Sequence, residues 1–75
     1  MDFWNILNYY HWQYNRDCQC GGMEGKIFVH PQLKGYEVRA FPNNGIFRVI
    51  LDGKILAEDR PLSDLQRTLI ANELY

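Results

Sequence analysis

The chain has 75 residues, of which 47% are hydrophobic and 23% charged, and a formal net charge of −1. This composition fits one small globular domain, residues 1–75, without repeats or low-complexity tracts. It excludes binding that rests on an overall basic or acidic excess, though not on a local charged patch. A domain this short buries only about 60% of its unfolded surface, so its core depends heavily on large side chains. Aromatic residues make up 15% of the chain and supply them.

The opening Met-Asp-Phe-Trp carries no basic segment of the kind that starts a secretory signal. No apolar run approaches the roughly 18 residues a membrane span needs. The expectation is a cytoplasmic protein without membrane association, its two cysteines reduced.

In chain order, Asp2 is suited to cap a helix beginning at Phe3. Helical spacing places Phe3, Ile6, Leu7, Tyr10 and Tyr14 on one stripe, with Trp4 and His11 at its edge. Tyr9 and Trp12 fall on the polar side, with Asn5, Asn8, Asn15 and Arg16. They read either as rings covered by a loop or wedged between the sheet and a neighbour, or as exposed aromatic anchors, a residue type enriched at interface hot spots. The segment Asp17–Gly22 is expected to end this helix, its glycine pair supplying a left-handed stop. Met23–Lys26 reads as loop. Lys26–His30 reads as a short edge strand ended by Pro31.

Tyr36–Arg60 reads as a three-stranded meander. Asn44-Gly45 and Asp52-Gly53 are pairs that two-residue type I′ turns favour. Counting from such turns sets Ala40 opposite Val49, Val38 opposite Leu51, and Val49 opposite Leu56. One face then carries Tyr36, Val38, Ala40, Phe47, Val49, Leu51 and Leu56, an apolar surface for helices. The other carries Glu37, Arg39, Phe41, Arg48, Ile50, Ile55, Ala57 and Asp59. It reads as a solvated face whose arginine stems cover the isoleucines, or as a docking face. Ser63 and Gln66 form a capping-box pattern for a final helix reaching about Leu74. Leu65/Leu69 and Ile70/Leu74 make two apolar pairs on adjacent sides of it. The stripe is imperfect, which leaves one of the two pairs available to a partner.

The predicted fold is therefore α+β. It has an N-terminal helix, a three- or four-stranded antiparallel meander and a C-terminal helix, with both helices on one sheet face.

No constellation of catalytic residues stands out. A Cys18–His30 or Cys20–His30 pair lacks a third group to orient it. Gly21–Lys26 is glycine-rich but lacks the phosphate-loop spacing and leads into no helix. His11, Cys18, Cys20 and His30 are ligand types for zinc, which makes a small zinc-stabilised module an alternative. The C-x-C spacing is tighter than the usual C-x₂₋₄-C. The expectation is no cofactor and no enzymatic activity.

The helix–meander–helix order, with Gly53-Lys54-Ile55-Leu56-Ala57 before the last helix, resembles the layout of double-stranded-RNA-binding domains. That resemblance implies a nucleic-acid-binding alternative, with Arg39, Arg48, Lys54 and Arg67 as contacts. The family's lysine cluster at the start of the final helix is replaced here by Ser63-Asp64-Leu65-Gln66-Arg67. The preferred reading is a small non-enzymatic protein-interaction module that binds a host macromolecule, as inhibitors and regulators do, those of mobile-element or phage type included. Its predicted contacts are Tyr9, Trp12, Arg48, Ile50 and Ile55. Homodimerisation through the mixed face or a free sheet edge is a further alternative.

Overall fold

A computed structural model describes residues 2–75. Helix α1 (Phe3–Tyr9) is followed by strands β1 (Gln13–Cys20), β2 (Met23–Val29), β3 (Tyr36–Phe41), β4 (Ile46–Leu51) and β5 (Lys54–Pro61). A 3₁₀ turn at Leu62–Asp64 then leads into helix α2 (Leu65–Ala71). The strands form one antiparallel sheet in sequence order, β1-β2-β3-β4-β5. The architecture is the expected α+β, but the sheet has five strands rather than three or four. No helix among the described residues is long and apolar enough to cross a membrane.

The extra strand comes from residues expected to be helical. Asp2 does cap α1, its carboxylate accepting from the Asn5 amide at 2.9 Å. The helix nevertheless stops at Tyr9, because His11 takes a left-handed φ of 72°. The His11 amide donates to the Asn8 carbonyl at 3.1 Å and the Trp12 amide to Leu7 at 2.8 Å. This is the Schellman pattern, with its apolar contact between Leu7 and Trp12. Helix α2 ends the same way. Glu73 has φ 54°, its amide donates to Ile70, and Leu74 donates to Leu69 at 2.8 Å.

The two stops meet. The Trp12 indole donates to the Leu74 carbonyl at 2.8 Å, and both residues lie in the core. Trp12 is therefore not an outward anchor: it is 1% exposed.

Beyond His11 the chain runs as edge strand β1. Gly21 and Gly22, at φ 60° and 82°, form the hairpin turn between Cys20 and Met23. Two consecutive positive-φ residues are what a type I′ turn demands. A glycine pair serves a helix stop equally well, which is why its role was not legible. The expected loop at Met23–Lys26 is the first half of β2, and β2 is internal rather than an edge.

The second predicted turn is as expected, with Asp52 at φ 49° and Gly53 at 82° and Leu51 opposite Lys54. The first is not a two-residue turn. Phe41 pairs with Ile46, Ala40 with Phe47 and Val38 with Val49, leaving a four-residue loop. Pro42 sets the loop: it occupies the second position of a turn closed by the Asn44 amide on the Phe41 carbonyl at 3.0 Å. The pairing moves by two residues, so each side chain keeps its face.

Strand β5 departs further. Val49 pairs with Ala57, not Leu56, and the register shifts on both sides of Val49. These bulges turn Ala57 onto the core and leave Leu56 56% exposed. At α2 the Ser63 capping box does not form; the helix is capped at Asp64 without a side-chain hydrogen bond.

Both helices pack on one sheet face. Ile6 and Leu7 of α1, with Leu65 and Leu69 of α2, meet Phe28, Val38, Ala40, Phe47 and Val49. Near β1, Trp4, Tyr14 and Phe28 pack ring to ring, with the Lys26 ammonium 5.8 Å from Trp4 and 5.6 Å from Tyr14.

Candidate interaction surfaces

The face of the sheet away from the helices is ordered in rows across the strands. One row is Arg16–Ile27–Arg39–Arg48 and another Val29–Glu37–Ile50–Ile55; Cys18 pairs with Gly25 and Phe41 with Ile46, and the Phe41 ring lies against Gly25. Ile27, Phe41 and Ile50 are buried here without a helix over them. The arginines supply part of the cover: the Arg48 guanidinium carbon lies 5.0 Å from the Phe41 ring centre.

The arginines are also paired. Arg39 donates twice to one Glu37 oxygen, at 3.1 and 2.8 Å, and Arg16 lies 3.9 Å from the other. Arg48 Nε donates to Asp59 at 2.6 Å. That hydrogen bond holds the Asp59 carboxyl below its ordinary range. Of the predicted contact residues on this face, Arg48 is ion-paired, Ile50 is buried and Ile55 is 48% exposed. Of the nucleic-acid candidates, Arg39 and Arg48 share the row. Arg67 stands on α2, in the other layer, and Lys54 begins β5.

The helical layer presents a different surface. Tyr9 is 70% exposed, and its ring meets Tyr10 edge-on at 4.9 Å. Tyr10 meets Tyr75 at 5.8 Å, and its hydroxyl accepts from Gln66 Nε2 at 3.2 Å. One turn beyond Gln66 on α2 stands Ile70, exposed while Leu74 turns inward. The three tyrosines are thus linked ring to ring, and Tyr10 is joined to Gln66 of α2, with Ile70 one turn further on. Of these, the sequence singled out Tyr9 and set Ile70 in one of two apolar pairs, either of which could meet a partner. Tyr10 read as core, and Tyr75 had no periodicity to mark it.

The four candidate metal ligands divide into two pairs. Cys18 and Cys20 are unbridged on the open sheet face, their sulfurs 3.2 Å apart. His11 and His30 face each other at 6.2 Å beside Trp12. Among the described residues no group of three or more His, Cys, Asp or Glu is gathered to hold a metal ion.

His30 is buried. Its Nδ1 accepts from the Gln32 amide at 3.1 Å, and its Nε2 has no hydrogen-bond partner. Burial, then repulsion from His11, lowers its pKa from 6.5, with the Tyr10 carbonyl opposing. The unfolded chain therefore binds a proton that the folded chain resists. Stability from neutral His30 is complete above pH 6.5 and is lost as pH falls from 6.5 toward the folded value. Urea midpoints should drop over that interval. His30→Asn, which keeps an acceptor for Gln32 but does not titrate, should lose most of the slope. An unchanged slope in the variant rejects the assignment.

Compared with known proteins, the chain matches no family model, no curated protein and no solved structure.

Proposed function

We propose that the chain is a small non-enzymatic protein-interaction module, of the kind that serves as an inhibitor or regulator (mobile-element and phage types included), acting by covering part of another protein. The observation that supports this reading is the tyrosine surface of Tyr9, Tyr10 and Tyr75 with Ile70. Tyrosine offers large, rigid contact area and a polar tip, and it is over-represented at interface hot spots. Tyr9 and Tyr75 are exposed and each already packs on the half-buried Tyr10 ring, so a partner that covers them costs little further ordering.

The test is affinity capture from the native host with the wild-type chain and two double variants. Tyr9→Ala with Ile70→Asp should weaken capture of the partner by at least about tenfold, or ~1.4 kcal/mol. Ile55→Asp with Leu56→Asp, on the bulged edge of β5, should leave capture unchanged. The reverse pattern moves the interface to the β5 edge, and equal capture by all three chains sinks the reading.

A second reading, nucleic-acid binding, has the Arg16–Arg39–Arg48 row in its favour. Glu37 and Asp59 already neutralise those arginines, which weakens it. Salt-dependent gel shifts at low ionic strength would restore it, since phosphate contacts weaken as salt rises.

A further inference from the structure

Cys18 and Cys20 are alternate residues of β1, so both side chains leave the strand on its open side. Their sulfurs are 3.2 Å apart, and both are half-buried and unbridged. β1 pairs only with β2, so a local change in it is resisted by one neighbour. Arg39 Nη1 lies 3.5 Å from the Cys20 sulfur, and a negative charge on that sulfur faces a guanidinium. Two thiols in contact, one of them beside a fixed cation and both reachable from solvent, are the arrangement of a reactive dithiol rather than of inert core cysteines.

We infer that Cys18 and Cys20 form a reversible redox site, which closes to a disulfide within β1 by exchange with a low-molecular-weight disulfide such as oxidised glutathione. The Cys20 thiolate attacks one sulfur of the small disulfide. A Cys20–glutathione bond forms, and one glutathione thiolate leaves. That thiolate takes the proton of Cys18. The Cys18 sulfur then attacks the Cys20 sulfur, and the second glutathione leaves, protonated by solvent. Two protein thiols are oxidised to one disulfide, and one small disulfide is reduced to two thiols.

The order of the steps follows from the surroundings. In the reduced pair, burial raises the Cys18 thiol to about 11, helped by its hydrogen bond to Cys20 and by charge on Cys20. Capping Cys20 removes the last two influences and leaves burial, the largest, in place, so Cys18 attacks second. Alternate Cα atoms of a strand stand about 6.8 Å apart. That is the upper end of the roughly 4.4–6.8 Å range disulfides span. The bridge is therefore strained and readily reduced, which suits a reversible site and not a structural one.

The test exposes the intact chain to mixtures of reduced and oxidised glutathione, followed by acid quenching and intact mass measurement. The wild type should convert to a monomer lighter by two hydrogens and return to the reduced mass when reduced glutathione is restored. Cys18→Ser should stop at a glutathione adduct on Cys20. Cys20→Ser should gain its adduct on Cys18 several-fold more slowly. A wild-type chain that stays reduced, keeps a glutathione adduct, or cross-links to a second chain overturns the proposal. Equal adduct rates in the two variants overturn the assignment of Cys20 as the attacking sulfur.

Discussion

Trp12→Ala is expected to remove about 3–5 kcal/mol of folding stability, the usual range for truncating a buried aromatic residue. A chain of this length holds only about 4–11 kcal/mol in total, so the variant should lose between about a quarter and all of its stability. The effect has two sources. The indole is 1% exposed among Leu7, Leu74 and the strand side chains, and its removal leaves a cavity. The Leu74 carbonyl also loses its 2.8 Å donor in a buried setting, which by itself costs about 1–3 kcal/mol. Trp12→Phe separates the two: it keeps most of the ring and drops the N–H, so it should fall between the wild type and Trp12→Ala. Urea denaturation read by far-UV circular dichroism gives both values. A Trp12→Ala chain within about 1 kcal/mol of wild type would show that the two helix ends are not held together through this residue.

The second large effect is expected at Gly25, in the middle of β2. A Cβ there would lie 2.7 and 2.8 Å from two Phe41 ring carbons and 2.9 Å from the Cys18 sulfur. Phe41 is fully buried, with Arg48 against its ring, so the ring has little room to retreat. Alanine is intrinsically better than glycine in a strand by roughly 0.5–1 kcal/mol. Overpacking works against it by about 1–3 kcal/mol, and overpacking should win. Gly25→Ala is therefore expected to destabilise, and Gly25→Val more so. Adding Phe41→Leu to Gly25→Ala should recover part of the loss, a coupling that a double-mutant cycle reads directly. Gly25→Ala chains as stable as wild type would mean that Phe41 is not seated on the glycine.

These two positions also mark what was legible before folding. Asp52-Gly53 specified its turn because a type I′ turn needs two residues that tolerate positive φ, and the pair lies side by side in the chain. The division of β3 and β4 into faces was equally legible. It depends on the parity of the strand, and the four-residue loop at Pro42–Gly45 moved the register by two, which leaves parity intact. Asp2 marked the start of α1 for the same local reason.

The candidate contacts were less legible. The two readings of the outer aromatics divide, with Tyr9 exposed and Trp12 covered, and Ile50 is buried as well. Helical periodicity assigned Trp12 to an outer side only while the helix was taken to continue past it. Arginine cover on the face without helices was expected over the isoleucines; the structure places Arg48 over Phe41, which sits against Gly25, a contact that alternation alone does not reveal.

The chain's own short-range chemistry determined the α+β class, the cap of α1, the Asp52-Gly53 turn and the two faces of the meander. The tertiary structure decided where α1 ends, that β1 exists, and that Trp12 is core. No glycine marks His11 as a left-handed position, and a histidine adopts φ 72° at a cost that the local bonds to Asn8 and Leu7 share with a distant one. The distant bond comes from Leu74, 62 residues away, whose carbonyl receives the Trp12 indole. A contact of that separation exists only when both ends of the chain are in place.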